Sequence, residues 1–185
     1  NIQRKHVPDK YWEEIEGLAE GSGLSVEDVQ AANFIPELFH CSGFALMNSA
    51  TKDGTLYHGR VLDYGVDMKL QDHALLIVAK PKGGIPFVNV TYAGFVGSVT
   101  GMNSNSISIG EMGGKGLGQW NGVPMAFLVR EVLESADDLD EAIAVFRDSP
   151  RTCEYYFVIA DGKTNRAVGM EAGASKFSLV EPNTS

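Results

Sequence analysis

CSGFALMNSATKDGTLYHGRVLDYG, running from Cys41 to Gly65, is the stretch whose reading decides the rest. Two short apolar runs, Ser42–Asn48 and Leu56–Leu62, flank a polar segment that contains Asp53-Gly54. Asp-Gly between apolar runs is a hairpin signal, because the glycine takes the positive φ that a tight reversal requires. The texture of the chain also changes at Cys41. Before it the sequence reads as helical and polar; after it, strand-length apolar runs alternate with glycine and proline turns.

On the N-terminal side, DKYWEEIEGLAEGSG repeats Tyr11, Trp12, Ile15 and Leu18 at helical spacing until Gly21 to Gly23 stop it. Ser25 then caps SVEDVQAAN, with Asp28 at the capping-box position. Two short helices are therefore expected in residues 1–40, leading into the apolar FIPELFH.

On the C-terminal side, strands are expected at Ala74–Ala79, Phe87–Ala93, Phe95–Gly101 and Ser106–Glu111. Helices follow at Pro124–Ser135 and Leu139–Asp148, the second capped by Asp137 or Asp138. Strands resume at Tyr155–Ala160 and Ala167–Glu171, with a further run at Phe177–Val180. Strands in a block, then helices, then strands again predict an α+β fold with helices segregated onto the faces of an antiparallel sheet. Such a sheet still lacks partners after Val180, so a further C-terminal part is expected.

Composition excludes some classes of function. The formal charge is −9 and the basic residues are scattered, whereas a nucleic-acid partner calls for a concentrated basic patch. The most apolar run, Ala74 to Ala79, is far short of the ~20 residues of a spanning helix. The chain begins at Asn1, and the sequence does not fix its compartment. Nine of the 21 glycines cluster between Gly94 and Gly122, a turn-rich region.

Chemistry centres on Cys41. A cysteine is more often a small buried hydrophobe than a nucleophile, and Cys153 is read as a packed thiol. Cys41 differs in its setting, at the head of a hairpin whose return strand carries Arg60 and Asp63. Residues three apart on a strand point to opposite faces. Arg60 and Asp63 therefore share one site only if the strand kinks or ends nearby, which Gly59 and Gly65 permit. The bland alternative is a surface Arg and Asp at a strand end. His40, His58 and His73 with Cys41 match no zinc spacing. GEMGGKGLG, Gly110–Gly118, lacks the ending of a phosphate loop and is read as a loop beside the site.

Cys41-Ser42-Gly43-Phe44, then TKDGTLYHGRVLDYG, then Gly101-Met102-Asn103 resembles the Ntn hydrolases related to choloylglycine hydrolase and acid ceramidase. Within that group it is most similar to the acyl-coenzyme A:isopenicillin N acyltransferase branch. The resemblance implies an αββα sandwich of antiparallel sheets between helix layers, occupied by residues 41–185. Residues 1–40 would be a propeptide or small subunit, released by cleavage of the His40–Cys41 bond. It implies a linear amide as substrate, attack by Cys41 to give an acyl-thioester, and water or an amine as acceptor. The freed α-amine would be the base, since its ordinary pKa of about 7.7–8.0 suits neutral pH. Asp63 would hold that amine, Arg60 would favour the thiolate, and Asn103 would stabilise the oxyanion. Trp120, Arg151 and Thr152 are weaker candidates for substrate contact. No cofactor is required; the partners expected are a small-molecule amide and either a second copy or the further C-terminal segment. Two rivals remain: a non-catalytic Ntn-fold binding domain, and a conventional cysteine hydrolase with His58 or His73 as base.

Overall fold

The structure, a computed structural model, describes residues 2–34, 40–114 and 118–182, with the side chains of Phe34 and His40 outside that set. Helices α1 (Asp9–Ser22) and α2 (Val26–Phe34) come first. Strands β1 (His40–Asn48) and β2 (Gly54–Asp63) follow, then two 3-10 turns at Val66–Met68 and Leu70–His73. Next are β3 (Ala74–Ala79), β4 (Phe87–Tyr92), β5 (Thr100–Asn103) and β6 (Ile107–Glu111). Helices α3 (Met125–Ser135) and α4 (Leu139–Asp148) interrupt the strands, which resume as β7 (Glu154–Asp161), β8 (Arg166–Gly173) and β9 (Phe177–Val180).

Strands β3 to β9 form one antiparallel seven-stranded sheet in sequence order, while β1 and β2 form a separate hairpin. The fold is α+β, as the sequence predicts. Its core lies between the helices and the sheet. Phe127, Val129, Val132 and Leu133 of α3 meet Ile107, Ile109, Phe157 and Ile159 of β6 and β7, all nearly or wholly buried. The hairpin lies against β6, β7 and β8. It reverses through Asp53-Gly54 as expected, with Gly54 at φ 74°.

The predicted caps are in place. Ser25 Oγ accepts the Asp28 N–H at 3.1 Å and donates to the Asp28 carboxylate, closing the start of α2. Asp138 accepts from the Glu141 N–H at 2.8 Å to cap α4. Helix α1 ends at Gly23, which is left-handed at φ 73°.

The N-terminal helices are bound into the core rather than appended to it. Tyr11, Trp12, Ile15 and Ala19 of α1 are buried, and Tyr11 stacks on Phe127 of α3 at 5.1 Å between centroids. Arg130 of α3 takes both carboxylate oxygens of Glu14 at 2.6 Å and one of Glu134 at 2.8 Å.

The strand expected at Phe95–Gly101 starts late. Phe95–Val99 is not extended into a ladder; strand β5 begins only at Thr100. The segment is buried, and its backbone is satisfied by a mixture of side chains and backbone groups: the Ser98 N–H donates to the Ala126 carbonyl at 2.9 Å, and the Val99 carbonyl accepts the Glu111 N–H at 3.0 Å. The Val96 N–H donates to Asn33 Oδ1 at 2.7 Å, and the Gly97 carbonyl accepts from Asn89 Nδ2 at 3.1 Å. A Cβ on Gly97 would come within 2.7 Å of Ala126 Cβ, so α3 lies directly upon this loop. An apolar run buried by a helix has the same sequence texture as one buried in a sheet.

Candidate active site

Cys41 is the second residue of β1 and faces Leu62 of β2 in register. Its backbone N–H reaches beyond the hairpin to the Met112 carbonyl at 3.3 Å, which ties the start of β1 to the segment after β6. Gly43 makes this approach possible, since a Cβ there would lie 2.8 Å from Met112 Sδ.

Arg60 is the centre of the site. Its Nη2 donates to Cys41 Sγ at 2.8 Å and to Glu111 Oε2 at 3.2 Å, while its Nε donates to the Glu111 carbonyl at 3.0 Å. The guanidinium side chain is only 6% exposed and the Glu111 side chain 1%. It reaches these partners by crossing Gly110, where a Cβ would stand 2.8 Å from Arg60 Cγ. The Glu111 carboxylate also accepts the Gly113 backbone N–H. Thiol, guanidinium and carboxylate thus form a contiguous group, in which the guanidinium and carboxylate are buried and the thiol is half-buried.

Burial pushes the Cys41 thiol up to about 11, and the Glu111 charge adds to the rise; a backbone hydrogen bond from Asp63 and the Arg60 charge oppose it. Burial likewise raises Glu111 to about 7, against the pull of Arg60 and of the Gly113 and Cys41 hydrogen bonds. Burial also raises Tyr64, in the same environment. In the intact chain Cys41 is therefore a neutral thiol at physiological pH, next to a carboxylate poised to exchange a proton there.

The sequence-predicted residues separate into those brought together and those used elsewhere. Arg60 meets Cys41 by its side chain. Asp63 is exposed and lies opposite His40 in register; it meets Cys41 through its backbone. Asn103 is a structural residue: its amide donates to the Ala136 carbonyl at 2.8 Å, and its oxygen accepts the Ile107 N–H at 3.0 Å and the Asn105 N–H at 3.1 Å. These bonds fix the turn between β5 and β6 to the end of α3, and they direct its amide donor to α3 and not to an oxyanion at Cys41. Arg151 caps the end of α4, donating to the Phe146, Arg147 and Ser149 carbonyls, and also holds the Gly173 carbonyl. Thr152 is buried, with its hydroxyl 3.4 Å from the Val123 carbonyl. Trp120 is half-buried against the core. None of these three has a hydrogen bond to Cys41 or Arg60 among those described. Cys153 is a buried free thiol, as expected. Residues 115–117 of the glycine-rich loop lie outside the described residues.

Neither histidine proposed as a base is bonded to the thiol. His58 Nδ1 is paired with Ser108 Oγ at 2.7 Å, and burial lowers its pKa to about 4. His73 is exposed at the end of the turn before β3. Among the described residues no group of three or more His, Cys, Asp or Glu could hold a metal ion, and no helix is long and apolar enough to cross a membrane.

Glu111 is the residue the sequence reading missed. It shares strand parity with Ile107 and Ile109, both fully buried, and an acidic residue at an inward position of an apolar strand rarely lacks a charged partner. That parity was the available signal.

A cysteine held by arginine at the head of an antiparallel hairpin, laid over a sheet backed by helices, defines the Ntn-hydrolase class related to acid ceramidase. The chain belongs to the acyl-coenzyme A:6-aminopenicillanic acid acyl-transferase family, whose model matches residues 49–183. Protein dcd1A of Dictyostelium discoideum is 30% identical over 92% of this chain and 42% of its own length. The N-acylethanolamine-hydrolyzing acid amidase of Rattus norvegicus is 25% identical over 83% of this chain and 44% of its own. The solved structure of the Caenorhabditis elegans ortholog of that amidase shares the fold, with a TM-score of 0.58 and 22% identity over 76% of this chain and 64% of that one. The chain thus spans less than half the length of these curated relatives.

Proposed function

We propose that this chain carries the nucleophile of an autoprocessed cysteine amidohydrolase or acyltransferase acting on linear amides. The observation that carries this reading is the 2.8 Å contact from the buried Arg60 guanidinium to the half-buried Cys41 Sγ, backed by Glu111. In the uncut chain the Cys41 nitrogen is an amide and cannot act as a base. Glu111 is then the group beside the thiol that can take its proton, as Sγ attacks the His40 carbonyl. Rearrangement to a thioester and hydrolysis would free the Cys41 α-amine. That amine becomes the base for the second reaction: Sγ attacks the substrate amide, the amine leaves with a proton, and water or another amine releases the acyl group. Arg60 stabilises negative charge on sulfur in both rounds. Relatives named as acid amidases and the acyltransferase family support amide chemistry. Residues 1–40 are read as the small subunit, and the burial of α1 favours its retention after the cut.

Intact-mass measurement with N-terminal sequencing tests this directly. A fragment beginning Cys-Ser-Gly-Phe should appear in the wild type and vanish in Cys41→Ala. A chain that stays whole through long incubation, with a thiol inert to alkylation, would favour the non-catalytic binding domain instead.

A further inference from the structure

Asn33, near the end of α2, is fully buried and grips a loop more than sixty positions away. Its Nδ2 donates to the Val29 carbonyl at 2.9 Å and to the Gly94 carbonyl at 3.1 Å. Its Oδ1 accepts the Val96 N–H at 2.7 Å and the Gly97 N–H at 3.4 Å. A buried amide satisfied at both ends fixes the backbone it binds, because displacement leaves a donor or an acceptor unpaired away from water. The loop is the one that precedes β5, and its other anchors are Asn89 of β4 and Ala126 of α3. Of these anchors, Asn33 is the one on the N-terminal side of the His40–Cys41 bond.

Two routes lead from this loop to the thiol. The first runs through Val99. The pairing of β5 with β6 ends at Thr100 and Gly110, and beyond that pair the Glu111 N–H is taken by the Val99 carbonyl at 3.0 Å. Strand β7 holds Glu111 from the other side, opposite Phe157. The loop therefore seats Glu111 on the side where β5 supplies no further strand residue. The second route runs through Tyr92. Its carbonyl accepts the Phe95 N–H at 3.2 Å, closing the turn that Asn33 grips at Gly94. The Tyr92 ring stacks on Tyr64 at 5.9 Å. Burial raises its hydroxyl, with the Arg60 charge opposing and Cys41 adding to the rise, so the ring stands beside both groups.

We propose that Asn33 is a positioning residue for Cys41: through the 94–99 loop it keeps Glu111 and Tyr92 seated against the pair of thiol and guanidinium. The N-terminal segment then acts on the nucleophile from across the bond proposed for cleavage. As a statement about amide chemistry this rests on the reading of Cys41 as the nucleophile; as a statement about thiol acidity it does not. The titratable groups around the sulfur are Arg60, Glu111, Asp63, Tyr64 and Tyr92. Asn33 carries no charge, and its substitution leaves all five in the chain. A change in thiol acidity on substituting Asn33 therefore reports their displacement.

The test is the pH profile of iodoacetamide alkylation of whole chains, read by intact mass in a Cys153→Ser background. Greater access to the thiol multiplies the rate at every pH, whereas displacement of Glu111 moves the midpoint. Asn33→Ala should lower the midpoint from about 11 by about one pH unit, the effect of one neighbouring charge, and so speed alkylation at pH 9 about tenfold. Asn33→Ser keeps one acceptor for the loop and should move the midpoint the same way by less; it carries the test if Asn33→Ala does not fold. Val29→Ala opens a cavity in the same helix but keeps the carbonyl that Asn33 binds, and should lower Tm with the midpoint unmoved. A wild-type midpoint in the folded Asn33 variants, or an equal fall in Val29→Ala, overturns the proposal. Where wild type is cut at His40–Cys41, Asn33→Ala should slow the cut about a hundredfold, as a misplaced reacting group does, and an unchanged rate also overturns it. A wild type that is never cut removes the nucleophile reading instead, and the alkylation profile alone then decides the role of Asn33.

Discussion

Reactivity at the residue scale depends on the balance of two charges around one sulfur. Glu111 raises the Cys41 thiol and Arg60 lowers it. Glu111→Gln should therefore bring the thiolate into reach, and Arg60→Met should move it away. Measured as iodoacetamide alkylation at pH 9, the first should react about tenfold faster and the second about tenfold slower than wild type, as a one-unit shift from a single neighbouring charge implies. Gly110→Ala should slow alkylation as Arg60→Met does, because the new methyl would stand 2.8 Å from Arg60 Cγ and displace the guanidinium. Equal rates in all four proteins would remove Arg60 and Glu111 from any role in tuning the thiol. Asn103 belongs to this scale as well. The family resemblance implied an oxyanion donor there, and only its bond to the Ala136 carbonyl, 33 positions away, shows that it secures a turn.

Elements decide whether the first 40 residues remain with the rest. Helix α1 meets α3 through the Tyr11–Phe127 stack and through Arg130, which is 9% exposed and shared between Glu14 and Glu134. Removing one member of such a group strands the others, so Arg130→Met should destabilise the chain by about 3 kcal/mol in urea titration. Ser25→Ala removes only the cap of α2 and should cost about 1 kcal/mol. Should the His40–Cys41 bond be cut, the two pieces should co-elute on native size exclusion and separate in denaturant. Elution of the N-terminal piece alone would show that the contacts of α1 do not outlast the covalent link. Helical spacing made α1 legible in the sequence, but its attachment was not, because Glu14 and Arg130 are 116 positions apart.

Across the whole molecule, two buried groups give opposing pH dependences. Glu111 is raised to about 7, so the stability it contributes is fully present below its unfolded pKa near 4.5 and is lost as pH rises through about 7. His58 is lowered to about 4, so its contribution is present above its unfolded value near 6.5 and is lost as pH falls through about 4. Each shift corresponds to roughly 3 kcal/mol at most. Between about pH 4 and pH 7 the two slopes oppose each other, and wild-type Tm should change little on their account. In Glu111→Gln the histidine slope stands alone, and Tm should fall as pH drops from 6.5 to 4. An acid-stable Glu111→Gln protein would show that one of the two groups is more hydrated than its burial implies.

The sequence by itself determined the element order, the hairpin at Asp53-Gly54 and the cap at Ser25, and it narrowed the cap of α4 to Asp137 or Asp138. Each of these rests on local spacing or on two strands joined by a single turn, and such relations are written in adjacent residues. Only the tertiary structure decided that Phe95–Val99 is a loop packed under α3, and that Arg151 caps a helix. Only the structure, too, made Glu111 the third member of the site. Those outcomes depend on which surfaces meet across long separations, 51 positions in the case of Arg60 and Glu111. A buried side chain takes its role from the partners folding places around it.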